Sequence, residues 1–213
     1  MGVQQQQEIE AKFQVRDPAD LERIRGWLIG RGGRCSRMAI RSVRDVYLDS
    51  AARDFYRAGW ACRVRRFSGT GRRELTVKSL RRPVDGVATR AEWTEPVPAG
   101  RRLRYPGPFP GVALARRLPA ALTAAEVRPI FMLVQRRRVF DVVFPRPALR
   151  VEISLDETRL SGAAGRLWVV EFELKRGSVE ALRALVEAGR RAFPVRRAIP
   201  SKFAWALRAV GLR

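Results

Sequence analysis

The chain has 213 residues, a net charge of +22 and no histidine, which excludes every mechanism that needs an imidazole base, nucleophile or metal ligand. Its two cysteines are too few for a disulfide framework or a zinc site, and no run of about 18 apolar residues predicts a membrane helix. Because residues 1–7 also lack the basic and apolar regions of a signal peptide, we expect a cytoplasmic protein without a membrane partner. The charge predicts an anionic partner.

The first half of the chain predicts β-strands with one helix among them. A strand over residues 8–15 alternates charged and apolar residues, and Asp17-Pro18 then begins a helix that ends at the glycines of residues 30–33. Further strands are predicted at residues 44–49, 61–67, 73–79 and 89–97. The turn of residues 68–71, which contains two glycines, is typical of a hairpin.

The second half begins with a proline-rich segment, residues 98–119, which we expect to be an irregular insertion with a short helix near residues 112–117. Strands are predicted at residues 130–135, continuing or pairing into 136–144, and at 149–155 and 168–174, and helices at 178–193 and 201–210. Many strands with helices at only a few junctions favour the α+β class, in one domain over residues 1–213.

The predicted strands share one pattern, in which charged residues stand two apart with apolar residues between them. Because successive side chains of a strand point to opposite faces, each strand has one charged and one apolar face. A single such strand would indicate only a solvated surface, but repetition along the chain favours an antiparallel β-barrel with a charged lumen and flanking helices. The predicted lumen holds the acids Glu8, Glu10, Glu92, Glu152, Asp156, Glu171 and Glu173 and the bases Lys12, Arg63, Arg65, Lys78, Arg90, Arg136, Arg138 and Lys202.

Such a lumen indicates the kind of ligand it would bind. Burying many charges is costly unless they are paired or ligated. Clustered carboxylates without histidine or cysteine favour a hard cation such as Mg²⁺ or Mn²⁺, and clustered arginine and lysine favour phosphate oxygens. A polyphosphate chelated to metal ions satisfies both groups. Only four of the 43 basic residues are lysines, and an ammonium is a compact point charge that a guanidinium does not replace.

A series of motifs resembles the CYTH superfamily, the triphosphate tunnel metalloenzymes. Glu8-Ile9-Glu10-Ala11-Lys12 matches the ExExK signature of that superfamily. The other matching motifs, in chain order, are Tyr47-Leu48-Asp49-Ser50, Cys62-Arg63-Val64-Arg65, Leu75-Thr76-Val77-Lys78, Arg90-Ala91-Glu92, Arg136 to Arg138, Leu155-Asp156, Val170-Glu171-Phe172-Glu173-Leu174-Lys175 and Ser201-Lys202-Phe203. The resemblance implies an eight-stranded antiparallel tunnel, dependence on divalent metal ions and a triphosphate substrate.

The resemblance, together with the charge pattern, implies a role for each group of residues. The expected substrate-binding residues are Arg63, Arg65, Lys78, Arg90, Arg136 and Arg138. The expected metal ligands are Glu8, Glu10, Asp156, Glu171 and Glu173, with Glu152 as a second choice. Lys12 and Lys202 are expected at the reacting end, where they contact the phosphoryl group or help to activate water. Glu92 is expected to orient a neighbouring arginine.

The expected activity is hydrolysis of a triphosphate, with inorganic tripolyphosphate converted to pyrophosphate and phosphate. Three alternatives remain open. They are a class IV-type adenylyl cyclase, a hydrolase of an organic triphosphate such as thiamine triphosphate, ATP or an RNA 5′ end, and a binder of polyphosphate or nucleotides without activity. The arginine-rich surface also predicts a weak contact with nucleic acid or polyphosphate.

Overall fold

The computed structural model describes residues 3–15, 17–193 and 201–212, which form nine strands and six helices. The strands are β1 (Gln4–Gln14), β2 (Arg34–Cys35), β3 (Ala39–Asp49), β4 (Trp60–Phe67), β5 (Arg73–Ser79), β6 (Val87–Val97), β7 (Arg128–Phe144), β8 (Leu149–Leu160) and β9 (Arg166–Arg176). The helices are α1 (Asp20–Gly30), α2 (Asp54–Arg57), α3 (Val112–Ala115), α4 (Ala120–Ala124), α5 (Val179–Ala192) and α6 (Lys202–Ala209).

Eight strands close into an antiparallel barrel. Their order around it is β7-β3-β4-β5-β6-β1-β9-β8, and pairing of β8 with β7 completes the ring. The short strand β2 pairs with the last residues of β7 and takes no part in the closure. The predicted eight-stranded antiparallel barrel is confirmed. The sequence left open whether residues 130–135 and 136–144 form one strand or two. They belong to a single strand, β7, which pairs with both β3 and β8.

Apolar side chains of the strands face outward and are covered from two sides. On one side α1 and α5 pack onto β1, β8 and β9, with Leu21, Phe172 and Leu182 in a common core. On the other side the segment between β6 and β7 packs onto β4 and β5, where Leu114 meets the core that holds Leu75. This segment contains the predicted insertion. The short helix expected near residues 112–117 is α3, and a second helix, α4, follows the predicted insertion at Ala120–Ala124.

The last helix, α6, packs into one mouth of the barrel. Phe203 and Leu207 lie in a core with Tyr47, Phe131 and other inward-facing residues at the ends of the strands. The Ser201 hydroxyl accepts a hydrogen bond from the Ala204 N–H and so caps the start of the helix. This position brings the first residue of the helix to the end of the lumen. Of the helices in the described ranges, none has the length and apolarity needed to cross a membrane.

Candidate active site

The inward faces of the strands enclose a cavity of about 840 Å³. Strand register brings its charged residues side by side: Glu10 lies opposite Glu173, Lys12 opposite Glu171, and Glu8 opposite Arg90. The charged residues that line the cavity include Glu8, Lys12, Arg63, Arg65, Lys78, Arg90, Glu92, Arg137, Glu171, Glu173, Lys175 and Lys202. Acids and bases from most of the barrel strands therefore share one enclosed space.

Glu10 is the centre of the first group of ion pairs. Its side chain is only 2% exposed, and its carboxylate contacts Lys12 at 3.0 Å, Lys78 at 3.3 Å and the Arg90 guanidinium. Lys78 also contacts Glu8. Burial alone would lower the pKa of Lys78, but Glu10 and Glu8 outweigh burial and raise the pKa above its usual value. Two lysines and an arginine are thus held charged around one buried carboxylate.

Glu171 and Asp156 form a second group on β9 and β8. Lys12 donates a hydrogen bond to Glu171 at 2.7 Å, and Lys202 from α6 contacts both carboxylates. Arg137 bridges the same two acids, at 2.7 Å from Asp156 and 3.1 Å from Glu171. Burial would raise the pKa of Glu171, but Lys12, Lys202 and Arg137 outweigh burial and hold the pKa well below its usual value.

The protonation state of Lys12 bears on its expected role in water activation. Burial favours the neutral amine, but Glu10, Glu171 and Glu8 outweigh burial and raise the pKa of Lys12 far above its usual value. A lysine in this environment stays an ammonium at neutral pH and does not accept a proton. It is suited to stabilising negative charge.

A third group surrounds Asp45 on β3, which sequence reasoning missed. Asp45 is fully buried and accepts two hydrogen bonds from Arg65, at 2.7 and 2.8 Å, and one from Gln135. Arg63 lies 3.4 Å away. Burial would raise the pKa of Asp45, but Arg65 and then Arg63 outweigh burial and hold the pKa far below the usual value. Asp45 therefore fixes the two arginines of the Cys62-Arg63-Val64-Arg65 motif.

Glu173 lies among the least neutralised carboxylates. It stands opposite both Glu10 and Glu152 on the neighbouring strands. Burial raises its pKa, the hydrogen bond from Lys175 works against burial, and repulsion by Glu8 and Glu152 adds to the increase. The raised pKa of Glu173 is therefore mainly an effect of burial, and the neighbouring carboxylates add to it.

The predicted positions of Arg136 and Arg138 in the lumen are wrong. Both side chains point outward, where they line a shallow depression with Trp168, and Arg137 points inward in their place. Strand alternation allows two arrangements: either Arg136 and Arg138 face the lumen, or Arg137 does. The register is decided by Gln135, which contacts Asp45 inside the barrel and so places Arg137 on the inner face.

The carboxylates offer oxygen ligands only, which is the donor chemistry of Mg²⁺ and Mn²⁺. Among the described residues, however, no three acids are already close enough together to hold a metal ion. Each acid is engaged instead by a lysine or arginine, as Glu8 is by Lys78 and Asp156 by Lys202. The donor set fits a hard divalent cation, which would take the place of ammonium groups on these acids.

The structure brings the remaining predicted residues together around the lumen. Eleven of them share contacts or the cavity wall: Glu8, Glu10, Lys12, Arg63, Arg65, Lys78, Arg90, Asp156, Glu171, Glu173 and Lys202. Glu152 lies opposite Glu173 on β8, and Lys175 contacts it at 4.0 Å. Chemically, this arrangement is suited to an anion and a cation side by side in an enclosed channel.

Solved structures of similar fold come from several organisms. A Hippeastrum protein assigned as an adenylyl cyclase, for which a dominant triphosphatase activity is described, is 18% identical, with 93% of this chain and 94% of that chain covered and a TM-score of 0.64. A Bacillus halodurans protein assigned as an adenylate cyclase is also 18% identical, with coverages of 95% and 96% and a TM-score of 0.64. A Pyrococcus horikoshii protein is 19% identical, with coverages of 92% and 96% and a TM-score of 0.55. At these identities the likeness is one of fold.

Sequence comparisons gave two results. A search of curated proteins found no significant match. A family model described as the CYTH domain matches residues 6–193, which include all nine strands except the first two residues of β1. Because this match covers most of the chain, and because the barrel and its charged lumen agree with the motifs in the sequence, the chain belongs to the CYTH domain family.

Proposed function

We propose that this chain binds a triphosphate in the barrel lumen with divalent metal ions and hydrolyses it, and that inorganic tripolyphosphate is the substrate. The observation that carries the proposal is the mixed charge of the enclosed cavity. Acids such as Glu10 and Glu171 alternate there with bases such as Lys12 and Arg137. A lumen for an anion alone would need few carboxylates, and one for a cation alone would need few bases.

The bases would hold the phosphate chain. Arg63 and Arg65 project from β4 and are fixed by Asp45, and Arg137 of β7 lines the same cavity. Guanidinium groups bind phosphate oxygens with two parallel hydrogen bonds. Because phosphoryl transfer depends mainly on positioning and on neutralising charge, guanidiniums held in place before the substrate arrives would lower the barrier.

Lys12 and Lys202 would act at the phosphoryl group that is transferred. Both ammonium groups contact Glu171, so they lie close to each other near the end of the lumen where α6 begins. Their positive charge would stabilise the charge that builds up on the phosphate oxygens and on the leaving group.

The expected metal ligands are Glu8, Glu10, Glu152, Asp156, Glu171 and Glu173. Three of these acids lie side by side on neighbouring strands, because Glu173 stands opposite both Glu10 and Glu152. Mg²⁺ or Mn²⁺, when bound, supplies neutralisation of phosphate oxygens and activation of water. The carboxylates would hold the cation beside the bases that bind the phosphate chain.

A substrate panel tests the proposal. Tripolyphosphate, ATP, thiamine triphosphate and longer polyphosphate would each be incubated with Mg²⁺ or Mn²⁺ and with a chelator, and phosphate and cyclic AMP would be measured. We expect metal-dependent phosphate release, with the largest rate on tripolyphosphate. The fold relative from Hippeastrum, with its dominant triphosphatase activity, is in line with this expectation. Cyclic AMP from ATP would support the cyclase alternative, and no turnover of any substrate would support the binder without activity.

Two neighbouring residues of β8 give a matched control. Asp156 faces the lumen and contacts Lys202 and Arg137, whereas Glu157 faces outward and contacts Arg159 and Arg166. Asp156→Asn should lower the rate about 100-fold, and Glu157→Gln should leave it within about twofold. Equal effects of the two substitutions would contradict a reaction in the lumen.

A further inference from the structure

A row of arginines crosses six neighbouring strands on the outside of the barrel. The row has one position on each strand, and each position lies opposite the next in strand register. Five of the six positions are arginines. From β5 to β9 the positions are Arg73, Arg66, Arg44, Val134, Arg159 and Arg166. We call these five arginines the arginine row. With strands about 4.8 Å apart, the row follows the curved surface for about 24 Å.

The arginine row has too few acids to balance it. Arg44 and Arg66 stand directly opposite each other and are both exposed, and within the described ranges neither has an ion pair. Of the other members, Arg159 and Arg166 share one acid, Glu157. Arg73 donates hydrogen bonds to the carbonyl oxygens of Pro98 and Arg101. Like charges directly opposite each other on neighbouring strands are destabilising. A feature with this cost is explained if a polyanion neutralises it.

Apolar groups lie next to the arginine row. Val134, within the row, is 37% exposed, and Ile40 on the adjoining part of β3 is 59% exposed. Beside them, Pro18 and Trp168 line a shallow depression over the buried Leu155, together with Arg136, Arg138 and Glu157. A ligand of phosphates alone would gain nothing from these apolar surfaces. A ligand with phosphates and flat bases would contact both kinds of group.

We propose that the arginine row binds the backbone of single-stranded nucleic acid, with bases against the neighbouring apolar residues. The phosphates would follow the guanidinium groups from strand to strand. The contact would not depend on sequence, because arginines in a row read charge and not base edges. This binding is separate from hydrolysis in the lumen, since every member of the row points away from the cavity.

The first experiment measures binding of a fluorescein-labelled single-stranded oligonucleotide of about 20 nucleotides by fluorescence anisotropy at several salt concentrations. The oligonucleotide has a 5′ hydroxyl, so it offers no triphosphate to the lumen. Arg44→Gln/Arg66→Gln should weaken binding about 10-fold or more at low salt. It should also reduce the slope of log K against log salt by about 1.4, which is about 0.7 for each lost phosphate contact.

The control variant removes the same charge elsewhere. Arg102 and Arg117 are exposed arginines in the segment between β6 and β7. Arg102→Gln/Arg117→Gln should leave oligonucleotide binding within about twofold of the wild type. Both double variants should keep the lumen activity of the wild type. Equal weakening of binding by the two variants would overturn the proposal, because it would show that net charge alone attracts the oligonucleotide.

A second measurement separates nucleic acid from other polyanions. An abasic oligonucleotide of the same length has the same phosphates and no bases. We expect it to bind about 10-fold more weakly than the normal oligonucleotide, because base stacking and apolar contact are lost. If the abasic strand binds as tightly, the surface is a general polyanion site and the assignment to nucleic acid is wrong.

Discussion

The inner and outer faces of the barrel both carry many arginines, but the two faces differ in whether acids neutralise them. Inside, Arg65 is held by a buried carboxylate at 2.7 Å, and Arg137 bridges two acids. Outside, Arg44 and Arg66 stand side by side without an acid among the described residues. The comparison teaches that arginine content alone says little about a site. What distinguishes the lumen is that each base is held in a fixed position by an acid.

Substitution of Asp45 tests this distinction most strongly. Asp45→Asn should lower the free energy of unfolding by about 3–5 kcal/mol, because it leaves the Arg65 guanidinium buried without its carboxylate. The measurement is urea denaturation at neutral pH. Asp141, whose carboxylate pairs with Arg150 at the surface, is the control, and Asp141→Asn should cost less than about 1 kcal/mol. Similar losses in the two variants would remove the distinction between the faces.

The three consecutive arginines of β7 give the next largest effect. Arg137→Gln should lower kcat/KM for tripolyphosphate about 100-fold, because a guanidinium aimed into the lumen is lost. Arg136→Gln and Arg138→Gln, which remove outward side chains, should each change kcat/KM by less than about twofold. Steady-state kinetics of the three variants well below their melting temperatures decides the matter. A large loss in Arg136→Gln with none in Arg137→Gln would mean that the register of β7 is shifted by one residue.

The pH dependence of the free energy of unfolding tests whether ionised Asp45 stabilises the fold. Its pKa in the folded state lies far below the usual 3.8, so the folded protein binds fewer protons at this site than the unfolded chain does. The stabilisation is therefore complete above the usual pKa and is lost as pH falls below it. The difference in unfolding free energy between wild type and Asp45→Asn should stay constant from pH 7 to about pH 5 and shrink below pH 4. A difference that grows on acidification would contradict the sign.

The smallest effect is expected on the outer face. Arg44→Gln should raise the free energy of unfolding by about 0.5 kcal/mol or less at low salt, because it relieves repulsion from Arg66. The gain should vanish in about 0.5 M NaCl, where charges at the surface are screened. Thermal unfolding at two salt concentrations measures this. Arg150→Gln, which loses an ion pair with Asp141, should show no gain at either concentration.

Strand alternation predicted much of the fold and of the lumen. It was sufficient for the parts of β1 and β9 where charged and apolar residues alternate, as in Glu8 to Lys12 and Glu171 to Lys175. It failed for β7, because a run of three arginines fits both registers. It also failed for Asp45, because the residues two positions away on either side, Val43 and Tyr47, carry no charge. Only the pairing of β3 with β4 reveals that Asp45 faces Arg65.

The barrel is closed by its first and last strands, because β1 pairs with β9 over residues about 160 positions apart. A chain emerging from the ribosome therefore carries Glu10 and Lys12 long before Glu171 and Glu173 have been synthesised. Until then the charged faces have no enclosed space to share, and the interior charges remain in water. Ring closure, ion pairing and completion of the lumen must then occur together and late in folding. Such a protein should fold slowly, and its half-made forms should bind polyanions in the cell without discrimination.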